Sequence, residues 1–589
     1  MAFAVPCVKY CYLVIIVKKL LKFFKGYGKE SILGPLFKLF EATLELIVPL
    51  IIASVIDRGI GGGDRWHIIN MCILLALLGV VGLGFSVTAQ FFAAKASVGF
   101  ITKTKAALFA HIQALSYSDI DELGTSGLIT RLTSDATRVQ TGVNLTLRLL
   151  LRSPFVVFGA MIMAFTIDAS AGADFAVVIP LLSIVVFGIM LISMPLHKKT
   201  QTMVDTLLRK TRENLSGVRV VRAFGKEEDE VRGYVSINGE LTRGHRHVGA
   251  ISALMNPLTY IIINFGILAL IYVGALKVDS GNLTQGEVIA LYNYMSQILI
   301  ELIKMSNLII TITKALASAS RISAVLDTKT SQTFGEREEQ GNGEYSVELS
   351  GATLKYRRAA ENSVEGVSFK AKRGDVVGII GGTGSGKSSL VSLIPRFYDA
   401  TEGEVKLFGH NATEYTKGAL EKMIGVVPQG AVLFAGTIRE NMQFGNKSAS
   451  DKEINEALRA AQALGVAEDK GGLDARVEAG GKNFSGGQRQ RLTIARALVK
   501  KPQILILDDS ASALDFATDA ALRRALREMD GETTLFVVSQ RAASVMHADT
   551  IIVLDDGQVV GQGRHDELLD SCPVYREIFD SQFKKEDVR

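Results

Sequence analysis

Residues 376–388 read Val-Val-Gly-Ile-Ile-Gly-Gly-Thr-Gly-Ser-Gly-Lys-Ser, and they decide the fold of the half of the chain in which they lie. The apolar strand Val376–Ile380 runs into the loop Gly381-Gly382-Thr383-Gly384-Ser385-Gly386-Lys387-Ser388, and an apolar helix follows from Leu390. The pattern G-x-x-x-x-G-K-[ST] between a strand and a helix is a phosphate cradle. Its glycines let backbone N–H groups curl around phosphate oxygens. The helix that follows adds the partial positive charge of its N-terminus. Lys387 is expected to reach the β and γ phosphates of a nucleotide and Ser388 to ligate Mg²⁺, with Ser389 beside them.

Downstream, Ile504-Leu505-Ile506-Leu507-Asp508 reads as a buried parallel strand that ends in a carboxylate. An Asp at the C-terminal edge of such a sheet holds the Mg²⁺. Between the two motifs lies Phe484-Ser485-Gly486-Gly487-Gln488-Arg489-Gln490-Arg491, which opens a helix through Ile494 and Leu498. That helix N-terminus is a second phosphate-binding surface. Two such surfaces, far apart in one chain, suggest a sandwich in which ATP is shared between two domains.

Toward the N-terminus the chemistry changes. Of 589 residues 48% are hydrophobic and 21% charged, which excludes a disordered or collagen-like chain. Four cysteines exclude a disulfide scaffold, and a net charge of +5 is too small to argue for nucleic acid. The apolar excess sits mainly in the first 320 or so residues, in six windows near 31–57, 66–92, 145–168, 174–196, 251–276 and 285–312. Each is long enough to cross a bilayer as a helix of about 20 residues. The loops near 95–144 and 197–250 are long and basic, which places them and both termini in the cytoplasm. From Trp66 to Leu115 there is no proline, so one helix of about 75 Å is expected, projecting far beyond a ~30 Å hydrocarbon core.

Lys18 to Lys29, interleaved with Leu20, Leu21, Phe23 and Phe24, reads as an amphipathic helix on the inner leaflet, and the apolar run Leu13–Val17 before it lacks the cleavage site of a signal peptide. Cys7 and Cys11 read as unpaired thiols. The expected organisation is an N-terminal amphipathic elbow over 1–30, a transmembrane domain over 31–327, a polar linker over 328–345 and a nucleotide-binding domain over 346–589. The fold class is thus a polytopic α-helical membrane domain of six transmembrane helices with long cytoplasmic extensions, fused to an α/β P-loop nucleotide-binding domain. Inside the spans, Glu41 and Glu45 share a face, as do Glu301 and Lys304. Ionisable residues there are functional candidates. Glu301 is expected to pair with Lys304, Glu41 to lie near Lys38, and Glu45 either to pair or to line a cavity for cationic amphipathic molecules. Tyr292, Asn293, Tyr294, Gln297 and Asn264 could line the same path or hold helices together.

These motifs, in this order, resemble the half-transporters of the ATP-binding cassette (ABC) exporters, in which six membrane helices are fused to one nucleotide-binding domain. The resemblance covers the chain from about residue 18 onward. It implies ATP and Mg²⁺ as ligands, an amphipathic drug- or lipid-like substrate, a bacterial plasma membrane as the location, and no nucleic acid. Further matches follow from it. Tyr356 resembles the aromatic that stacks on adenine. Gln429, in Val-Val-Pro-Gln, resembles the glutamine that senses Mg²⁺ and the attacking water. Ser512-Ala513-Leu514-Asp515 resembles the D-loop, and Glu478 the acid before the signature. Ser116–Leu123 and Glu213–Phe224 resemble the two coupling helices, the second of which docks on the partner's nucleotide-binding domain in the family.

Two positions depart from the active family pattern. Asp509 stands where the family has the Glu that polarises the attacking water, and Gln540 stands where it has a His. Phe484 replaces the first signature Leu, a mild change. A carboxylate set back by one methylene can cost about 10²-fold in a positioned reaction, and Gln540 cannot carry a positive charge. ATP binding should survive through Tyr356, Lys387, Ser388 and Asp508. The resemblance therefore implies a degenerate site of a heterodimeric exporter, whose partner carries Glu and His and whose active site is completed by Ser485-Gly486-Gly487-Gln488. An ATP-gated channel-like subunit and a siderophore importer are the alternatives.

Overall fold

The computed structural model describes residues 19–510, 514–528 and 532–583. Cys7, Cys11, the Leu13–Val17 run, Lys18, Ser512 and Ala513 lie outside them. The chain separates into two compact units, one formed by residues 1–113 and 126–328 and the other by residues 114–125 and 329–589.

The first unit is helical. Six stretches are long and apolar enough to cross a membrane: Gly28–Gly61, Arg65–Ala114, Thr125–Ile167, Ala169–Ser216, Glu227–Asp279 and Gln285–Asp327. Each of the six apolar windows falls within one of them to within a residue. The second is a single helix of 50 residues, as the missing proline and turn residues predict. The third and fifth are interrupted, at Leu150–Leu151 and at Leu254, so that Arg152 opens a new helix, Arg152–Ile167. Among the described residues the N-terminal amphipathic stretch ends earlier than its pattern suggests. It closes as the turn Leu21–Phe24, because Gly26 takes a left-handed φ of 99° and turns the chain toward Gly28–Ser54.

Small residues set the helix crossings. A Cβ on Gly142 would stand 2.2 Å from that of Ala315, and one on Gly286 2.3 Å from the carbonyl of Ala53. Without a hydrophobic drive between helices in lipid, such close approach supplies the packing energy. Phe175, Leu182, Tyr294, Met295 and Ile298 fill the centre. The Tyr294 hydroxyl donates to the Leu46 carbonyl at 2.6 Å, so this tyrosine holds two helices together, whereas Tyr292 is exposed. Asn264 and Asn293 donate to carbonyls of their own helices, those of Tyr260 and Ile289.

The second unit is built on a six-stranded sheet in the order Gln558–Gly563, Thr550–Asp555, Val376–Gly381, Thr534–Ser539, Ile504–Asp508, Ile424–Val427. Only Gln558–Gly563 runs antiparallel to its neighbour. The central strands are apolar on both faces, as a parallel sheet covered on both sides requires. A second, antiparallel sheet pairs Tyr345–Leu354 with Val364–Lys372 and Glu402–Leu407, and adds the short edge His410–Asn411.

Candidate functional site

Register brings the nucleotide residues together. Val538 stands opposite both Ile379 and Asp508, so three parallel strands end level at one edge of the sheet. The loop Gly382–Gly386, Asp509 and Gln540 each follow one of those ends. This is the edge at which open parallel sheets bind ligands. A cavity of about 550 Å³ opens there, and its walls include Thr383, Lys387, Ser388, Ser389, Gln429, Asp508, Asp509 and Gln540.

Gly384 and Gly386 hold left-handed φ values of 86° and 91°, and a Cβ on Gly386 would stand 2.3 Å from the Ser363 carbonyl. Only glycine allows that turn with the 359–363 loop laid against it. Lys387 curls back over the loop and donates to the carbonyls of Gly381 (2.9 Å) and Gly382 (2.5 Å) and to the Ser385 hydroxyl (3.3 Å). Burial holds its ammonium below the usual lysine range. The Ser388 hydroxyl donates to Asp508 at 3.0 Å. Burial, with some help from neighbouring Asp509, pushes the Asp508 carboxyl above its ordinary value. The Gln429 amide donates to Asp509 at 3.2 Å, and the Thr383 hydroxyl to the Gln540 carbonyl oxygen at 3.4 Å.

This donor set fits Mg²⁺ with a phosphate chain. A hydroxyl, two carboxylates and an amide oxygen are hard ligands of the kind Mg²⁺ takes beside phosphate, and the hydrogen bonds of Lys387 all go to neutral oxygens. Asp509 has a left-handed φ of 45°, tolerated by Asp, and its N–H donates to the Val538 carbonyl at 3.0 Å. The backbone of the strand end thereby fixes where its carboxylate starts.

Other expected residues lie elsewhere. Tyr356 is not on the cavity wall, but its hydroxyl is 3.1 Å from that of Ser389, which is, and its ring meets Tyr398 edge-on at 5.0 Å. Ser485 caps the helix Gly486–Leu498, and Gln488 reaches back to the Ser485 N–H at 2.9 Å. Asp515 caps Phe516–Arg527 through the Thr518 N–H at 2.8 Å. Neither cap, nor Glu478, lines the cavity. Sequence reading missed Asn362 and Asp556, which do; neither belongs to a motif, and only the fold carries their loops to the sheet edge.

Segment 114–125 packs within the second unit. Its helix Tyr117–Leu123 has a reciprocal cap between Ser116 and Asp119. Asp119 is buried and also accepts the Ser331 N–H at 2.9 Å and Arg357 at 3.1 Å. Burial alone would raise its carboxyl, but the donors from Ser116 and Ser331 outweigh it and hold the group below its ordinary value. Arg357 also meets Glu122 at 2.8 Å, Tyr398 donates to Asp121 at 2.6 Å, and Tyr117 packs on Phe397 with centroids 4.7 Å apart.

The first unit holds an ionic cluster. Glu301 pairs with Lys304 at 2.8 Å, and Glu41 with Lys38 at 2.5 Å, both as expected from spacing. The centre of the cluster is a residue that spacing did not single out. Arg152 reaches Glu301 at 2.6 Å and Glu45 at 2.5 Å, while Ser153 donates to Glu301 at 2.8 Å. The signal was available, because an Arg lies inside an apolar window. Arg152 and Glu301 are almost fully buried; Glu45 keeps 39% of its side chain exposed.

Residues 31–302 match the family described as ABC transporter transmembrane region, and residues 364–512 the family described as ABC transporter. An uncharacterized ABC transporter ATP-binding protein of Mycobacterium tuberculosis is 36% identical over 93% of this chain and 95% of its own length. A probable multidrug resistance ABC transporter ATP-binding/permease protein of Bacillus subtilis is 30% identical over 96% of this chain and 97% of its own. Among solved structures, a bacterial Atm1-family ABC exporter with ATP bound shares the fold, with a TM-score of 0.77 at 22% identity, over 94% of this chain and 98% of that one.

Proposed function

The chain belongs to the ABC transporter family, as a half-transporter with the exporter arrangement of a transmembrane region fused to a nucleotide-binding domain, and on that premise we propose that it is one half of a heterodimeric, ATP-driven exporter of amphipathic small molecules. One observation carries this reading. Asp509 and Gln540, the two departures from the active family pattern, both line the cavity that holds Lys387, whereas the Ser485–Gln488 helix end does not.

In this reading Lys387 and the loop Gly381–Gly386 bind the phosphate chain, Tyr356 lies under the adenine, and Ser388, Asp508 and Gln429 hold Mg²⁺. The metal would neutralise charge on the phosphate oxygens. Asp509 accepts a hydrogen bond from the attacking water, but from a carboxylate set back by one methylene, at a cost of about 10²-fold. Gln540 can donate a neutral hydrogen bond to the γ-phosphate and no positive charge. The site formed by Lys387, Ser388 and Asp508 of this chain thus retains ATP and hydrolyses it slowly. Ser485, Gly486, Gly487 and Gln488, together with Asp515 of the D-loop, complete the site of a partner chain that carries Glu and His. The nucleotide-binding domain and both termini lie in the cytoplasm, with the helices in a plasma membrane. The multidrug designation of the Bacillus subtilis relative supports a drug-like amphipathic substrate.

Purified alone, the chain should bind ATP and hydrolyse it slowly. Mixed with a half-transporter that has Glu and His at the matching positions, it should hydrolyse rapidly and lose that activity when the partner's Glu is changed. Brisk hydrolysis by this chain alone that is lost in Asp509→Asn overturns the degenerate-site reading.

A further inference from the structure

We propose that a cavity beside the N-terminal turn of the first unit is a binding site for one acyl chain of an anionic phospholipid, with the lipid phosphate held by lysines at its rim. The cavity has a volume of about 480 Å³, within the range of small-ligand sites of roughly 300–1,000 Å³. Its wall includes Leu21, Phe24, Phe100, Val143, Leu147 and Leu316. The two hydroxyls there, Ser31 and Thr146, donate to carbonyls of their own backbone, those of Tyr27 (2.8 Å) and Gly142 (2.7 Å). The interior therefore offers a ligand no free side-chain donor, and an apolar chain is the occupant it suits.

Aromatic rings prop the cavity open. Phe24 stacks on Phe100 at 4.4 Å, and Tyr27 occupies the space over Gly99, where a Cβ would stand 2.1 Å from the ring. These contacts hold the turn Leu21–Phe24 at the mouth.

Lysines follow the wall in sequence: Lys22, Lys25 and Lys29 come directly after the wall residues Leu21, Phe24 and Gly28. Lys22, Lys25, Lys29 and Lys103 are all exposed. The Lys103 ammonium donates to the Lys25 carbonyl at 2.7 Å and lies over the Tyr27 ring, and that of Lys22 lies over Phe23. Their neighbours Lys19 and Lys95 have acidic partners, Asp327 and Glu30. Among the described residues none of the four forms an ion pair, and only Lys29 feels the charge of an acid, its neighbour Glu30. The walls come from the start of the first apolar helix, from the residues at and just before the start of the third apolar window, and from the later parts of the second and sixth helices, so they share one side of the membrane. With that many lysines it is the inner leaflet. An apolar slot under uncompensated positive charge, at headgroup depth, matches an anionic phospholipid rather than a zwitterionic one.

Native mass spectrometry of the full chain in detergent tests this, with phosphatidylglycerol and phosphatidylcholine of matched chain length as the probes. The expected result is one retained phosphatidylglycerol with a clear preference over phosphatidylcholine. Lys22→Gln/Lys25→Gln should weaken phosphatidylglycerol by about twenty-five-fold, at about fivefold per lysine, and leave phosphatidylcholine unchanged; both side chains are exposed, so folding is not at stake. Val143→Trp, or Leu316→Trp should the first fail to fold, should abolish retention of either lipid. Equal retention of the two lipids overturns the proposal, as does an unaltered preference in the rim variant. Retention that survives the tryptophan overturns it, and so does a wild-type chain that holds no lipid, the result expected if the Leu13–Val17 run fills the slot.

Discussion

Asp509 concentrates the functional question in one carboxylate. Its backbone sits in the left-handed region and is tied to Val538, so the strand end sets its origin and only side-chain length is left to vary. Asp509→Glu should raise hydrolysis at this chain's own site by about 10- to 100-fold in the assembled transporter, read as single-turnover ATP cleavage. Asp508 governs pH dependence. Its carboxyl is raised by burial, so in the empty site its contribution to stability is present below its unfolded pKa and is lost as pH rises through its folded value. Mg²⁺ requires the ionised form. Mg-ATP affinity should therefore fall as pH is lowered from neutrality toward that raised value, and in Asp508→Asn it should be weak and nearly flat with pH. The residues of the phosphate loop were legible because chemistry constrains their spacing along the chain. Arg152 was not, because its partners Glu45 and Glu301 are 107 and 149 positions away and no local pattern links them.

At the scale of elements, the helix Tyr117–Leu123 depends on Asp119 for its cap and for its hold on Ser331 and Arg357. Asp119→Ala leaves buried donors unpaired, at about 1–3 kcal/mol, and should speed amide exchange across 114–125 while exchange in the sheet strands stays slow. Asp119 is held below its ordinary value, so the stability it contributes is present above its unfolded pKa and lost as pH falls through its folded one. The ionic cluster behaves differently. Arg152→Met takes from buried Glu301 one of its three donors and from half-exposed Glu45 its partner, and should cost about 1–3 kcal/mol. Arg152→Met/Glu301→Met should cost much less than the sum of the two single changes, as read from thermal unfolding of the purified protein. The pairing of Glu301 with Lys304 could be read from i,i+3 spacing. That Glu301 is saturated by three donors while Glu45 keeps one and stays half-exposed could not, since it depends on how three helices cross.

At the scale of the whole molecule, the signature end of Gly486–Leu498 has a role only if another chain uses it. A Cβ on Gly486 meets nothing within 4 Å, so Gly486→Asp should fold normally and bind ATP normally. In the assembled transporter the same change should abolish the fast ATPase, measured as steady-state phosphate release; an unchanged rate would remove the proposed composite site. Motif order and apolar patterning along the chain determined the family and the six spans, because periodicity and loop chemistry are local constraints that a linear string can carry. The long helix Arg65–Ala114 was legible for the same reason. Tertiary structure alone decided which groups meet: Ser388 with Asp508, Gln429 with Asp509, Arg152 with both glutamates, and Phe24 with Phe100 at the apolar slot. Those pairings arise from strand register and helix crossing, where residues 76 or more positions apart come within reach (80 for Gln429 and Asp509), and packing geometry rather than sequence spacing sets the distance.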